Sequence, residues 1–362
     1  MQAGVGRTGQ ITNEVFQLGT VFVTGGSGFF GGVLKNRLLA DGFQCVNVDL
    51  QRDTTQHPAL RSIEGDIRDT TLLERLFAEH DFSAVFHCAA ILAHDVRRRD
   101  DLWSSNVDAT TEIARLANRH RVAKVVYISS NCLWTSPFDR PVVEDDVPAP
   151  GEVYGASKWA AEQALMRHLD ASCLTILRTP TIIASGRLGL LSILFDFILE
   201  GRRVWVVGSG GNRYQFVYAP DLADACARAL APGASGVFNV GSSNVPTLRD
   251  TYQYVIDRAA TGARVASLPL WPTRPLMRLA YGARLSPLGP YQYRMIAESF
   301  IFDTAKIQRA LGWRPTLTNG EMLFEAFDYY RTHAGDIARR TAASPHRQPA
   351  RMGVIRLLKQ LS

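Results

Sequence analysis

Long apolar runs are missing from this chain. Nothing in it approaches the stretch of about 18 apolar residues that would cross a bilayer; the nearest, Leu188 to Leu199, is short and carries Asp196. The chain is therefore expected to be soluble and cytoplasmic, or at most peripheral to a membrane. Cysteine is sparse and unpatterned: the five thiols at 45, 88, 132, 173 and 226 are odd in number and form no CxxC pair. Neither a disulfide framework nor a zinc site is indicated, no metal is expected, and a reducing compartment fits. The first residues lack a basic-then-apolar signal pattern, and 1–18 are read as a loosely attached leader. Nor is there a dense Lys/Arg patch interleaved with aromatics. The net charge of +6 lies largely in the tail, so nucleic acid is not an expected partner.

What is present is ordinary globular material: 362 residues, 46% hydrophobic and 20% charged, enough for two domains or one domain with a large insert. Short apolar segments at 20–24, 45–49, 61–65, 84–88, 124–128 and 172–178 read as strands. Helical patterns such as Thr71–Phe77 and Asp108–Arg119 fill the gaps. This alternation implies an α/β fold built on a doubly wound parallel (Rossmann) sheet. The expected division is 19–181 with 218–243 as a dinucleotide-binding domain, and 182–217 with 244–333 as a smaller interleaved substrate domain. A basic tail, 334–362, follows.

The chain is organised around Val21-Phe22-Val23-Thr24-Gly25-Gly26-Ser27-Gly28-Phe29-Phe30-Gly31-Gly32, a strand, a glycine turn and the start of a helix. Gly25 suits a tight reversal, Gly28 a close approach of backbone N–H groups to a pyrophosphate, and Gly31 close helix–strand packing. Phe29 and Phe30 open the helix whose N-terminus would face the phosphates. Asp49 ends the second strand, where a carboxylate would accept from a ribose 2′-OH; NAD is expected ahead of NADP, although Arg52 leaves room for the latter. Asp66 and Ile67 follow the third strand, with Asp66 placed to meet an adenine amino group. Ala89 and Ala90 follow the fourth as small residues against a cofactor, and Ser129-Ser130 end the fifth.

Tyr154 and Lys158 lie four apart, on one face if the segment is helical. A phenol with a pKa of about 10 is a poor base at neutral pH, and a nearby cation stabilises its phenolate. Ser130 would hydrogen-bond the same substrate oxygen. These features together resemble an extended short-chain dehydrogenase/reductase of the NAD-dependent epimerase/dehydratase family, over roughly residues 20 to 330. The resemblance implies that Thr24 to Gly31 hold the pyrophosphate, that Ser130, Tyr154 and Lys158 handle the proton during hydride transfer, and that Lys158 also contacts the nicotinamide ribose. The Leu177–Thr181 segment, with Pro180, resembles the one that closes over the nicotinamide; Phe216–Ala225 and Leu311–Pro315 resemble further family segments.

Departures from the pattern concern the substrate. Family dehydratases carry Asp-Glu after the catalytic hydroxyl, whereas this chain has Asn131-Cys132, which disfavours dehydration. The family position of a diphosphate-gripping Arg is Tyr214 here, with Arg213 beside it. Cys132 falls where some related epimerases keep an acid/base cysteine, but their partner histidine would fall at Arg187. The proline- and aromatic-rich stretch 268–294 reads as helix packing or as an apolar wall for a lipid-like substrate. Arg97-Arg98-Arg99 reads as a solvated run or a phosphate contact. The basic amphipathic tail docks on its own protein or a dimer partner, or rests on anionic lipid as a peripheral membrane contact. The reading is an NAD-dependent oxidoreductase acting on a secondary alcohol or ketone, first a sugar epimerase on a nucleotide- or lipid-linked substrate. A 3β-hydroxysteroid or sterol dehydrogenase, decarboxylating or not, is the alternative; a non-catalytic NAD-binding protein is a third. The resemblance implies a homodimer through Asp108–Arg119 and Tyr154–His168.

Overall fold

The computed structural model describes residues 18–92, 99–136, 138–269, 271 and 295–339. The leader, Arg97 and Arg98, most of 268–294 and the tail beyond 339 lie outside the described residues.

Six strands alternate with helices at the start: β1 (Leu18–Thr24), β2 (Phe43–Asp49), β3 (Leu60–Glu64), β4 (Phe82–His87), β5 (Lys124–Ser130) and β6 (Leu174–Thr179). Three short strands come next, β7 (Thr181–Ile183), β8 (Arg203–Val207) and β9 (Phe216–Tyr218), before β10 (Gly236–Asn239) returns to the edge of the main sheet. That sheet is parallel, in the order β3-β2-β1-β4-β5-β6-β10. The doubly wound α/β architecture expected from the sequence is therefore present, with a seventh strand that the sequence reading omitted. β10 is four residues long and begins at Gly236, whose φ is +119°, so it carries almost no strand signature.

Both faces of the sheet are covered. Val21 and Val23 of β1 point into one core with Leu34 and Leu38 of α1 (Phe29–Ala40) and with Trp313. Phe22 points into the other, with Leu73 and Leu76 of α2 (Thr70–Glu79). Strand residues buried on both sides explain why these segments read as continuous apolar runs. α3 (Arg99–Trp103) passes through a π-helical turn, Ser104–Asp108, into α4 (Ala109–Arg119). α5 (Val153–His168) lies beside α4 and supplies Ala161 and Leu165 to the second core.

A third cluster is built from α6 (Leu191–Leu199), β8, α8 (Leu248–Ala259) and the helix Asn319–Thr332, through Phe195, Val206, Val255 and Phe327. α7 (Ala219–Arg228) packs instead in the first core. β7 pairs with β9, so the domain borders expected at 181/182 and 217/218 fall inside two paired strands. The order of the main sheet reverses between β1 and β4; in such sheets ligands bind in the crevice beyond the carboxyl ends of the strands at that point.

Candidate active site

The glycine turn sits at that switch point. Gly25 has φ +74°, donates its N–H to the Val48 carbonyl at 2.9 Å, and lies so close to Ala89 that an added Cβ would strike the Ala89 backbone. At Gly31 an added Cβ would collide with the Gly25 carbonyl oxygen, so helix α1 can approach the turn only with glycine there. Gly28, the N-cap of α1, brings no side chain to cap the helix, and the first turn holds no acidic residue. Its N–H groups and dipole therefore suit an anion, and the turn fits a pyrophosphate.

The other expected cofactor residues lie around this turn in differing states. Asp49 accepts the Ser27 N–H and the Gln51 N–H, each at 2.9 Å, so its carboxylate already shapes the turn. Ala89 donates its N–H to Thr24 Oγ1 at 3.2 Å, and Ala90 follows half-buried. Phe29, Phe30 and Ile67 send their side chains into the cores, leaving only backbone for a ligand. Asp66 is engaged side-on by the Arg68 guanidinium at 2.5 to 3.0 Å, so an adenine contact there would be additional to that pair. Pro180 is buried between β6 and β7.

Beneath the turn runs a polar network that the sequence reading missed. Asn47 accepts the Gly26 N–H at 2.8 Å and donates to Ser62 Oγ at 2.9 Å and Asp53 at 3.2 Å. Lys35 pairs with Asp53, their side chains 1% and 4% exposed, and donates to Thr55 Oγ1 at 3.1 Å. Burial alone would raise the Asp53 carboxyl; the Lys35 and Thr55 contacts bring it below its ordinary range. The available signal was a lysine on the buried face of α1, between Leu34 and Leu38.

Ser130, Tyr154 and Lys158 occupy one corner at the carboxyl end of β5. Ser130 is 9% exposed, and its Oγ accepts the Cys132 N–H at 3.1 Å, capping the short 3₁₀ turn Asn131–Leu133. The first turn of α5 presses on that turn: a Cβ on Gly155 would hit the Cys132 carbonyl oxygen. Tyr154, the residue before, is half-buried. Lys158 is 3% exposed, with its ammonium 4.2 Å from the centre of the Tyr127 ring. Burial pushes its pKa down to about 7, against the opposing pull of Glu162 first and then of Cys88 and Cys132. Burial likewise raises the Tyr127 hydroxyl well above its usual range, with Tyr154 and Glu162 adding to the shift. Among the described residues the Tyr127 hydroxyl finds no hydrogen-bond partner.

The same corner is tied to the glycine turn by a buried relay. His87 is hydrogen-bonded to Thr24 Oγ1 at 2.6 Å and to Thr110 Oγ1 at 2.8 Å; burial, then the Lys158 charge, lower its pKa to about 3, so it is neutral. Thr110 donates to the Asn106 carbonyl at 2.8 Å. Asn106, inside the π-helical turn, donates to Ser157 Oγ at 3.1 Å, and Ser157 donates to the Tyr154 carbonyl at 2.7 Å. π-Turns recur where a helix must re-aim a side chain at a site. Asn106 was absent from the sequence reading, because an Asn before Val107 in a helical pattern carries no visible charge or spacing.

Asn131, in the place of a dehydratase acid, is 4% exposed and donates to the Tyr214 hydroxyl at 2.6 Å. Tyr214 is thus buried packing, and Arg213 beside it is exposed. Arg187 lies with its guanidinium 5.5 Å from the centre of the Phe29 ring, over the start of α1. Among the described residues no group of three or more His, Cys, Asp or Glu is placed to hold a metal, and no helix is long and apolar enough to cross a membrane.

Comparison with known proteins places this geometry. Residues 21–241 match the model of the NAD dependent epimerase/dehydratase family. The chain is similar to the uncharacterized protein y4nG of Sinorhizobium fredii, 34% identical over 94% of this chain and 85% of that one. It is also similar to a UDP-glucose 4-epimerase of Mycolicibacterium smegmatis, 29% identical over 85% of this chain and 97% of that one. Its fold matches the Bordetella bronchiseptica enzyme WbmG, solved with NAD, at TM-score 0.72 and 20% identity, covering 89% of this chain and 96% of that one. A glycine turn at the switch point, a buried lysine behind a half-buried tyrosine and this match over most of the main sheet agree, and the chain belongs to the NAD dependent epimerase/dehydratase family, as an NAD-dependent enzyme of the extended short-chain dehydrogenase/reductase type.

Proposed function

We propose that this enzyme is an epimerase of a nucleotide-linked sugar. The observation that carries the reading is the corner itself: Tyr154 opens α5, Lys158 is buried one turn on, and the helix is wedged against the turn that Ser130 caps. NAD, when bound, supplies an acceptor and donor of hydride. The chain would hold it through the glycine turn and the N-terminus of α1, with Asp49 at the ribose and Lys158 at the nicotinamide side.

Tyr154 then takes the proton of a secondary hydroxyl on the sugar. Lys158, when protonated, lowers the energy of the phenolate, and Ser130 donates a hydrogen bond to the same substrate oxygen. The ketone so formed turns its other face before the proton and hydride return. Epimerisation is favoured over dehydration by Asn131: its amide is spent on Tyr214, so the residue after Ser130 offers no acid to expel water. The UDP-glucose 4-epimerase relative supports a nucleotide-linked sugar as substrate. No observation among the described residues favours the sterol alternative. A homodimer through α4 and α5 completes the reading.

The test is to incubate the purified protein with NAD and a panel of UDP-sugars, following NADH absorbance and product stereochemistry. Inverted product without net NADH is the expected result; net NADH would mean a dehydrogenase. Tyr154→Phe should reduce turnover by roughly 10²- to 10⁴-fold while NAD binding, read by fluorescence titration, stays near wild type. A fully active Tyr154→Phe protein would remove Tyr154 as the base.

A further inference from the structure

Lys158 does not stand alone in its corner. Glu162, one turn further along the same face of α5, is wholly buried, and two groups hold its carboxylate. Ser129, the neighbour of Ser130, donates its hydroxyl to Oε1. Arg178, from the adjacent strand β6 and 3% exposed, donates Nη2 to Oε2 at 2.8 Å and Nε to both oxygens at 3.2 Å. Arg178 is itself fixed: Nη1 donates to the Glu144 carbonyl at 2.8 Å, and its guanidinium carbon lies 5.3 Å from the centre of the Trp134 ring. Lys158 forms no direct salt bridge with Glu162, but it lies buried four residues before it on the same face of α5, and Glu162 is the strongest influence favouring its charged form.

Two buried cations therefore lie by one buried carboxylate, Arg178 bonded to it and Lys158 one helical turn away. The remaining groups around Lys158 do not change that balance. β4 contributes His87, held neutral, and Cys88, whose thiol burial pushes up to about 12 and so keeps protonated. β5 contributes Tyr127, protonated for the same reason, and the 3₁₀ turn contributes Cys132. The cluster carries one net positive charge when Lys158 is protonated and none when it is not.

We propose that Glu162 is a positioning residue acting through Lys158 as a shared counter-ion: Arg178 and Lys158 draw on one buried carboxylate, and the part left to Lys158 sets the ammonium charge available to Tyr154. This rests on the role given to Lys158 above. Arg178 thereby becomes the residue that tunes the site without touching it. A plain structural salt bridge would hold β6 to α5 and leave the titration of Lys158 unmoved.

The test reads Lys158 directly. Protein labelled with [ζ-15N]lysine and saturated with NAD is titrated by NMR, the Lys158 signal being assigned by its loss in Lys158→Met. Glu162→Gln should lower the titration midpoint by about one pH unit, and Arg178→Met, which leaves Glu162 to Lys158 alone, should raise it by about as much. The double variant Glu162→Gln/Arg178→Met leaves no permanent charge unpaired and Lys158 as the one titrating group of the cluster, so it also serves if Glu162→Gln fails to fold; its midpoint should fall as in the single Gln variant. Equal midpoints in all folded variants, or a rise in the double variant, would overturn the proposal. The alkaline limb of kcat should move in the same directions, whereas a structural bridge would lower kcat without moving the limb. Because the titration needs no turnover, opposite shifts in a protein whose Tyr154→Phe variant stays active would leave the counter-ion relation standing and remove only the reaction.

Discussion

Two buried ion pairs flank the crevice, and they are built differently. Lys35 and Asp53, under the glycine turn, form a closed pair: one cation, one carboxylate, and neutral partners in Asn47, Ser62 and Thr55. Arg178 and Glu162, beside the corner of Ser130, Tyr154 and Lys158, form an open one in the reading proposed above, because Lys158, one turn away on α5, draws on the same carboxylate. Desolvating two charges is costly, and a closed pair returns at most about what it spends, so its use is to fix geometry. Here it fixes the segment after β2 against α1. An open cluster leaves one charge unbalanced beside the site, which is of no use to folding and is of use to a reaction that must stabilise a phenolate.

Removing the lysine from each cluster separates the two roles, and these are the largest effects expected. Lys35→Met leaves Asp53 as a buried, unpaired carboxylate and should cost about 3–5 kcal/mol of stability, read by urea denaturation. Lys158→Met leaves Arg178 and Glu162 as a closed pair. It should fold at least as stably as wild type yet lose roughly 10²- to 10⁴-fold in turnover. If Lys158→Met were instead the less stable of the two, the unbalanced charge would be part of the fold and the contrast would fail.

The sequence made the first region legible and much of the second illegible, for a physical reason. Gly25, Gly28, Gly31 and Asp49 announce themselves because their chemistry is local: a turn, a helix start and a strand end within one βαβ unit. Tyr154 and Lys158 also show by spacing, since one helix carries both. Glu162 shares that helix face, yet its partners Ser129 and Arg178 come from two other strands, and their meeting depends on the sheet order. His87 is likewise joined to Thr24 and Thr110, and Asn106 to Ser157, only in space. The first six strands read correctly to within about two residues; the short β7, β8 and β9 escape the sequence reading, as does β10, whose four residues borrow their strand character from pairing with β6.

The dependence of stability on pH sharpens the contrast by a smaller amount. Burial lowers the pKa of Lys158 from 10.5 to about 7, so above pH 7 the unfolded chain holds a proton that the folded one has shed. Stability must then rise with pH between about 7 and 9, by up to about 1.4 kcal/mol per unit, before buried thiols and phenols, whose pKa values are raised, act the other way. Asp53 has the lowered pKa of a paired acid, so its contribution is intact across this window and is lost only in acid, below the ordinary value of 3.8. Urea midpoints at pH 7 and 9 should therefore differ in wild type and in Lys35→Met but coincide in Lys158→Met. A rise that persists in Lys158→Met would assign it to another group.

The smallest expected effect tests whether the closed pair is as inert as its neutrality suggests. Asp49 accepts two backbone N–H groups, so Asp49→Ala would disturb the turn as well as the ribose contact proposed for it. Asp49→Asn keeps an acceptor for Ser27 and removes only the charge. It should weaken NAD relative to NADP by roughly tenfold, about what one hydrogen bond to a charged group contributes. Lys35 and Asp53 hold the segment that follows Asp49, with their own side chains 1% and 4% exposed. If they serve geometry alone, the double variant Lys35→Met/Asp53→Asn should keep the wild-type NAD-to-NADP ratio of Kd values, measured by titration calorimetry. A ratio that shifts with Asp49→Asn but not with the double variant keeps the two clusters distinct. A shift in both would mean that the pair under the glycine turn also selects the cofactor, by setting where the chain after Asp49 presents Arg52.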